Sequence, residues 1–217
     1  MAEPARAVAI TTEAGALAGD LALPDRAAGV VVFAHGSGSS RYSPRNRMVA
    51  ARLNDGGLAT LMLDLLTQDE EKHDLRTRAL RFDIPLLGQR VVTALDWLAR
   101  EPPTKDLRAG CFGASTGAAA ALLAAVERPD RVRAVVSRGG RPDLAGSSLR
   151  SVMAPTLLIV GGADPLVVEL NREAQQQLPC ESRLDVVPGA THLFEEPGAL
   201  ERVSELARNW FLAKLGR

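Results

Sequence analysis

The sequence of 217 residues contains only two cysteines, Cys111 and Cys180, which excludes a disulfide-stapled scaffold. It has no excess of either charge: 26 Lys and Arg balance 26 Asp and Glu. That balance removes the electrostatic case for a nucleic-acid or anionic-membrane partner. No apolar run reaches the roughly 18 to 20 residues of a membrane span. The opening stretch, MAEPARAVAITTEAG, lacks the apolar core of a signal peptide, so a cytoplasmic location is expected. Aromatic residues make up 4% of the chain, and Trp97 and Trp210 both fall in helical patterns, which argues against a broad aromatic substrate pocket. No G-x-x-x-x-G-K-[ST] phosphate loop occurs, and neither the cysteines nor the three histidines show metal-ligand spacing. No metal or cofactor is therefore expected.

What is present is a regular alternation of short apolar runs and longer helical patterns, with 46% hydrophobic residues overall. Residues 30–34 (VVVFA), 59–64, 107–112, 132–137, 156–160 and 184–187 read as buried strands. Residues 48–53, 86–98, 116–126, 167–178 and 200–215 read as the intervening helices. Such alternation predicts an α/β fold: a mostly parallel sheet of about eight strands, with helices on both faces and one domain over residues 1–217. Residues 7–10 and 17–23 flank a Gly-containing turn and predict an antiparallel hairpin at one edge. The charged stretch 67–81 (TQDEEKHDLRTRALR) reads as a solvated helix face in preference to a mobile flap.

Gly113-Ala114-Ser115-Thr116-Gly117 fits G-x-S-x-G, and the pattern sits between a predicted strand and a predicted helix. A nucleophilic serine needs that setting, because its hydroxyl must stand out on a sharp turn at the carboxyl end of a sheet. It also needs a base and a carboxylate to orient the base. His192, in Gly189-Ala190-Thr191-His192, follows the last predicted strand. Asp164, in Gly161-Gly162-Ala163-Asp164-Pro165, follows the strand before it. Each has a plainer role available, Asp164 as a helix cap and His192 as a turn residue. The chain order Ser115, Asp164, His192, each residue after a strand, favours a catalytic triad. The oxyanion donors expected are the Thr116 amide and the Ser37 amide, with Gly38 as the alternative to the latter. His35, beside the first buried strand, is expected to brace that loop and not to serve as a second base.

The segments His35-Gly36-Ser37-Gly38-Ser39, Gly113 to Gly117, Gly161 to Pro165 and Gly189 to His192 resemble the dienelactone-hydrolase-like branch of the α/β-hydrolase superfamily. The resemblance runs from Leu17 to Leu215 and leaves no insertion long enough for a large lid domain. It implies a hydrolase acting on a small ester-type molecule. One departure is Ser115, where dienelactone hydrolases use cysteine; this sets dienelactone itself in doubt and leaves a wider esterase reading. Cys111 lies within a strand and reads as a core residue.

Substrate contacts are expected from Gly38, Arg41, Arg138 and Arg141, all near the same rim. The arginines either hold an anionic group of the substrate or brace loops by pairing with Asp64, Asp83 or Asp143. The reading preferred is a serine hydrolase cleaving an ester, thioester or lactone through a Ser115 acyl-enzyme. The alternatives are acyl transfer or perhydrolysis on the same triad, and a non-catalytic binding protein on the same fold.

Overall fold

A computed structural model describes residues 5–216. Eight strands form one sheet in the order β1-β2-β4-β3-β5-β6-β7-β8. The hairpin β1 (Arg6–Thr12) and β2 (Gly15–Ala22) is antiparallel, and β2 joins β4 (Ala59–Leu63) antiparallel as well. From β4 onward every pairing is parallel, through β3 (Val30–Ala34), β5 (Ala109–Ala114), β6 (Val132–Arg138), β7 (Thr156–Gly161) and β8 (Ser182–Val187). The carboxyl ends of β3, β5, β6, β7 and β8 therefore open on one rim.

Helices α1 (Pro44–Asp55) and α6 (Ala199–Leu215) cover one face. Helices α3 (Ile84–Leu98), α4 (Thr116–Glu127) and α5 (Pro165–Gln177) cover the other. This explains why β3 is apolar at every position. Val30, Val32 and Ala34 point into the core under α3 and α4, while Val31 and Phe33 point under α1 and α6. Phe33 stacks on Phe112 of β5 at 4.7 Å between ring centroids. The alanines of α4 let that helix lie close to the sheet. The edge strand β8 is half-solvated, with only Val187 buried.

The charged stretch forms α2 (Gln68–Thr77), a solvated helix, as its composition predicts. Its first turn carries a reciprocal cap, in which the Thr67 side chain accepts from Glu70 N–H and the Glu70 side chain accepts from Thr67 N–H. Several boundaries shift by one to four residues from the sequence reading, as at β5, which spans Ala109–Ala114 and not 107–112. Helix α1 begins at Pro44 and not at residue 48, because Ser43 caps it and proline fits the first helical turn. A 3-10 segment, Pro142–Ser151, fills what periodicity left blank. No helix among the described residues is long and apolar enough to cross a membrane.

Candidate active site

Strand β5 runs buried into Ser115, whose backbone turns to φ +51° and ψ −122° before α4 begins. A non-glycine residue there carries roughly 1–3 kcal/mol of strain and persists only if its surroundings hold it. They do so from several sides. Ser115 N–H donates to the Arg138 carbonyl at 3.3 Å, and the Ser115 carbonyl accepts from Ala118 N–H at 3.1 Å and Arg141 N–H at 3.0 Å. The flanking glycines are obligatory: a Cβ at Gly113 would lie 2.4 Å from Ala118 Cα, and one at Gly117 would lie 2.2 Å from the Ala34 carbonyl oxygen. The G-x-S-x-G pattern is thus a packing requirement that raises the serine at the carboxyl end of the sheet.

Asp164 follows β7 and fills both roles weighed for it. Its Oδ1 accepts from Val167 N–H at 3.4 Å, capping α5, while its Oδ2 lies 2.9 Å from His192 Nδ1. With Nδ1–H donated to that carboxylate, Nε2 is the basic nitrogen. The loop carrying His192 is tied down nearby, where Thr191 N–H donates to Glu196 Oε2 at 3.0 Å. That bond holds the Glu196 carboxyl below its ordinary range. Phe194, at φ +57°, is buried beneath the loop. Ser115 and His192 line one open cleft of about 270 Å³. The side-chain hydrogen bond of the His192 ring goes to Asp164 and not to the Ser115 hydroxyl.

His35 braces the loop after β3, as its position suggests. Nδ1 lies 2.9 Å from the Gly36 carbonyl, and Nε2 accepts from Leu65 N–H at 3.2 Å, which fixes a neutral tautomer. Burial pushes its pKa down, against smaller raising effects from the Gly36 bond and from Asp64 and Glu71. The Ser37 N–H donates to Thr116 Oγ1 at 2.9 Å, so this expected oxyanion donor is engaged by the neighbouring hydroxyl. Gly38 lines a second cavity, beneath α2 with Asp74 and Arg81, which shares Gly36, Ser37 and Ser39 with the cleft of Ser115. A turn at φ +71° carries it to that side.

The arginines separate. Arg41 pairs with Asp64 and lies 3.5 Å from Asp20, and Arg141 forks onto Asp143 at 2.8 and 2.9 Å. Both brace loops, and neither is among the residues lining the Ser115 cleft. Arg138, at the end of β6, does line the cleft. It is only 5% exposed, and its Nη2 donates to Asn46 Oδ1 at 2.8 Å. Burial, with repulsion from Arg45, lowers its pKa to about 10, so it remains charged at neutral pH. Sequence reasoning missed Asn46 and Arg45, because their approach to Arg138 spans some ninety positions along the chain (92 for Asn46). Cys111 is fully buried, and that burial pushes its thiol pKa up to about 12, as befits a core residue.

A parallel sheet extended by an antiparallel hairpin, with a strained serine after β5, an acid after β7 and a histidine after β8, defines an α/β-hydrolase. The sequence profile of the dienelactone hydrolase family matches residues 17–211, and the chain belongs to that family. A crystal structure of dienelactone hydrolase from Anabaena variabilis is 59% identical and superposes with a TM-score of 0.96, covering 97% of this chain and 98% of that one. Est1E from Butyrivibrio proteoclasticus is 18% identical and shares the fold, with a TM-score of 0.79 over 96% of this chain and 98% of that one. A Mycobacterium tuberculosis protein named "Putative phosphoribosyl transferase" is 60% identical over 199 residues, which make up 92% of this chain and 44% of that relative. The chain thus spans less than half the length of that relative.

Proposed function

We propose that this chain is a serine hydrolase that cleaves an ester, thioester or lactone of a small molecule through an acyl-enzyme on Ser115. The observation that carries the reading is the Asp164–His192 hydrogen bond, which leaves His192 Nε2 free in the cleft that Ser115 shares. Ser115 Oγ attacks the substrate carbonyl carbon while its proton passes to His192 Nε2. The tetrahedral oxyanion collapses, the bond to the leaving oxygen or sulfur breaks, and His192 returns the proton to the leaving group. A water then gives up a proton to His192 and attacks the acyl carbon. Collapse releases the carboxylic acid and restores the Ser115 hydroxyl. Asp164 holds the imidazole tautomer throughout and stabilises the imidazolium.

The Thr116 N–H, in the first turn of α4, has no partner within the helix and serves as one oxyanion donor. The Ser37 N–H serves as the other by exchanging the Thr116 hydroxyl for the substrate oxygen. The test is release of p-nitrophenol from acetate, butyrate and octanoate esters, with a fluorophosphonate probe in parallel. We expect turnover that falls at least ~10³-fold in Ser115→Ala, with the probe adduct on Ser115. Wild-type protein that neither turns over the esters nor takes the label would sink the proposal.

A further inference from the structure

The second cavity, of about 130 Å³, borders the loop after β3. Helix α2 roofs it, and the side chains of Leu65, Leu66, Leu75 and Leu87 form its apolar walls. Two of its polar neighbours are already satisfied. Asp74 accepts from Leu80 N–H, Arg81 N–H and Arg81 Nε, and His35 spends one ring nitrogen on the Gly36 carbonyl and the other on Leu65 N–H. Glu71 stands exposed at the rim. A buried water needs two to four polar partners, and the leucine walls supply none. Packed interiors keep few voids larger than a water molecule, because each forfeits the contacts of its lining. A leucine-lined space of this size is of the kind that holds benzene.

This cavity meets the Ser115 cleft along the loop, where Gly36, Ser37 and Ser39 line both spaces. Gly36 is pressed against the nucleophile: a Cβ there would lie 3.0 Å from Ser115 Cβ. Position along the rim then decides which half of a substrate the cavity can take. Its walls gather after β3 and β4, on one side of β5 and Ser115 in the sheet order. His192 stands on the other side, since a Cβ on Gly139, just past β6, would lie 3.7 Å from His192 Cε1. A leaving group must stay within reach of the proton on His192, so the acyl substituent points away from it.

We infer that the cavity under α2 binds a small apolar group, and that this group is the acyl chain of the substrate, of up to about six carbons. The acyl half of this statement rests on the hydrolase reading above; the binding of an apolar group does not. Leu66, Leu75 and Leu87 then set the chain length. Each methylene buried beneath α2 raises kcat/KM by roughly three- to fourfold, and the gain stops where the chain outgrows the cavity.

Two ester series separate the halves of the substrate. One varies the acyl chain, as p-nitrophenyl acetate, butyrate, hexanoate and octanoate. The other keeps the acetyl group and varies the alcohol, as ethyl, butyl and hexyl acetate. We expect kcat/KM to climb by about tenfold or more from acetate to butyrate or hexanoate and no further at octanoate, while the alcohol series stays nearly flat. Leu66→Ala moves the favoured acyl chain longer and Leu66→Phe moves it shorter, whatever rate the series loses in common. Leu75→Asn, at a residue 70% exposed and so tolerant of change, lowers the hexanoate-to-acetate ratio.

Binding is read apart from turnover by the methyl resonances of wild type and Ser115→Ala under xenon, a probe of apolar cavities. Shifts at Leu66, Leu75 and Leu87 support the site, and their absence overturns it. Ester turnover with a flat acyl series overturns the acyl assignment and leaves the hydrolase standing. Xenon shifts with no turnover of any ester keep the apolar site and remove both the hydrolase reading and the acyl assignment. If the Leu66 variants do not fold, the wild-type series, Leu75→Asn and the xenon shifts decide alone.

Discussion

Two charged regions flank the loop after β3, and they are built on opposite plans. Under α2 every buried charge meets its counterpart. Asp74, 3% exposed, accepts from the amides of Leu80 and Arg81 and from Arg81 Nε at 2.6 Å, while Arg90 meets Glu70. In the cleft of Ser115, Arg138 meets only an amide. The first arrangement is paired: each buried charge has an opposite charge against it, and these pairs hold the segment in place, although Arg90 Nε has no partner. The second is open, with a strained serine, an oriented histidine and an unneutralised guanidinium facing one space. Paired charge marks scaffolding here, and the cleft keeps a buried guanidinium that meets only a neutral amide.

Changes on the two sides should therefore fail in different ways. The largest effect is expected in the cleft. Asp164→Asn should lower kcat by about 10³- to 10⁴-fold through the wrong imidazole tautomer, with a small change in stability, read by p-nitrophenyl ester turnover and urea unfolding. A mutant within tenfold of wild type would remove Asp164 from the mechanism.

On the scaffold side, Asp74→Ala strips three donors of their acceptor and leaves Arg81 uncompensated. We expect a loss of about 2–4 kcal/mol in urea unfolding, well above its effect on kcat once folded. A loss under about 1 kcal/mol would undo the contrast between the two regions.

A gentler probe acts on the loop between them. His35 has a lowered pKa in the fold, so the unfolded chain binds more protons just below pH 6.5. Stability from this residue is full above pH 6.5 and is lost as pH falls from there toward the folded pKa. Protonating Nε2 also removes the acceptor of Leu65 N–H. The urea midpoint should drop between pH 7.5 and pH 5, and His35→Asn should show a smaller drop. Equal drops would place the acid sensitivity elsewhere. At the small end, Lys72→Ala removes an exposed pair with Asp69 on α2, and stability should change by less than about 0.5 kcal/mol.

The fold and the convergence of Ser115, Asp164 and His192 at one rim were legible because their signals are local. A continuous apolar run such as residues 30–34 marks a strand buried on both faces. Glycine at residues 113 and 117 marks a backbone too close to its neighbours for a Cβ. Asp164-Pro165 marks a helix start whose capping carboxylate also meets His192. What could not be read was set by approach in space. Sequence placed Arg41, Arg138 and Arg141 on one rim, but only the folded chain tells the two that meet Asp64 and Asp143 from the one that does not. The same holds for the Ser37 amide, whose partner Thr116 is 79 positions away, and for Gly38, which a left-handed turn carries to the far side of its loop.

Asp164 spends one oxygen on the first turn of α5 and the other on His192. A single carboxylate thereby joins the helix start to the imidazole, so the Val167 amide is a reporter placed two hydrogen bonds from that ring. Its proton resonance should move with the charge on His192, and its exchange with solvent should quicken whenever the imidazole leaves its seat. That lets the order of the cleft be followed by magnetic resonance on the resting protein, without a substrate and without waiting for one to be identified.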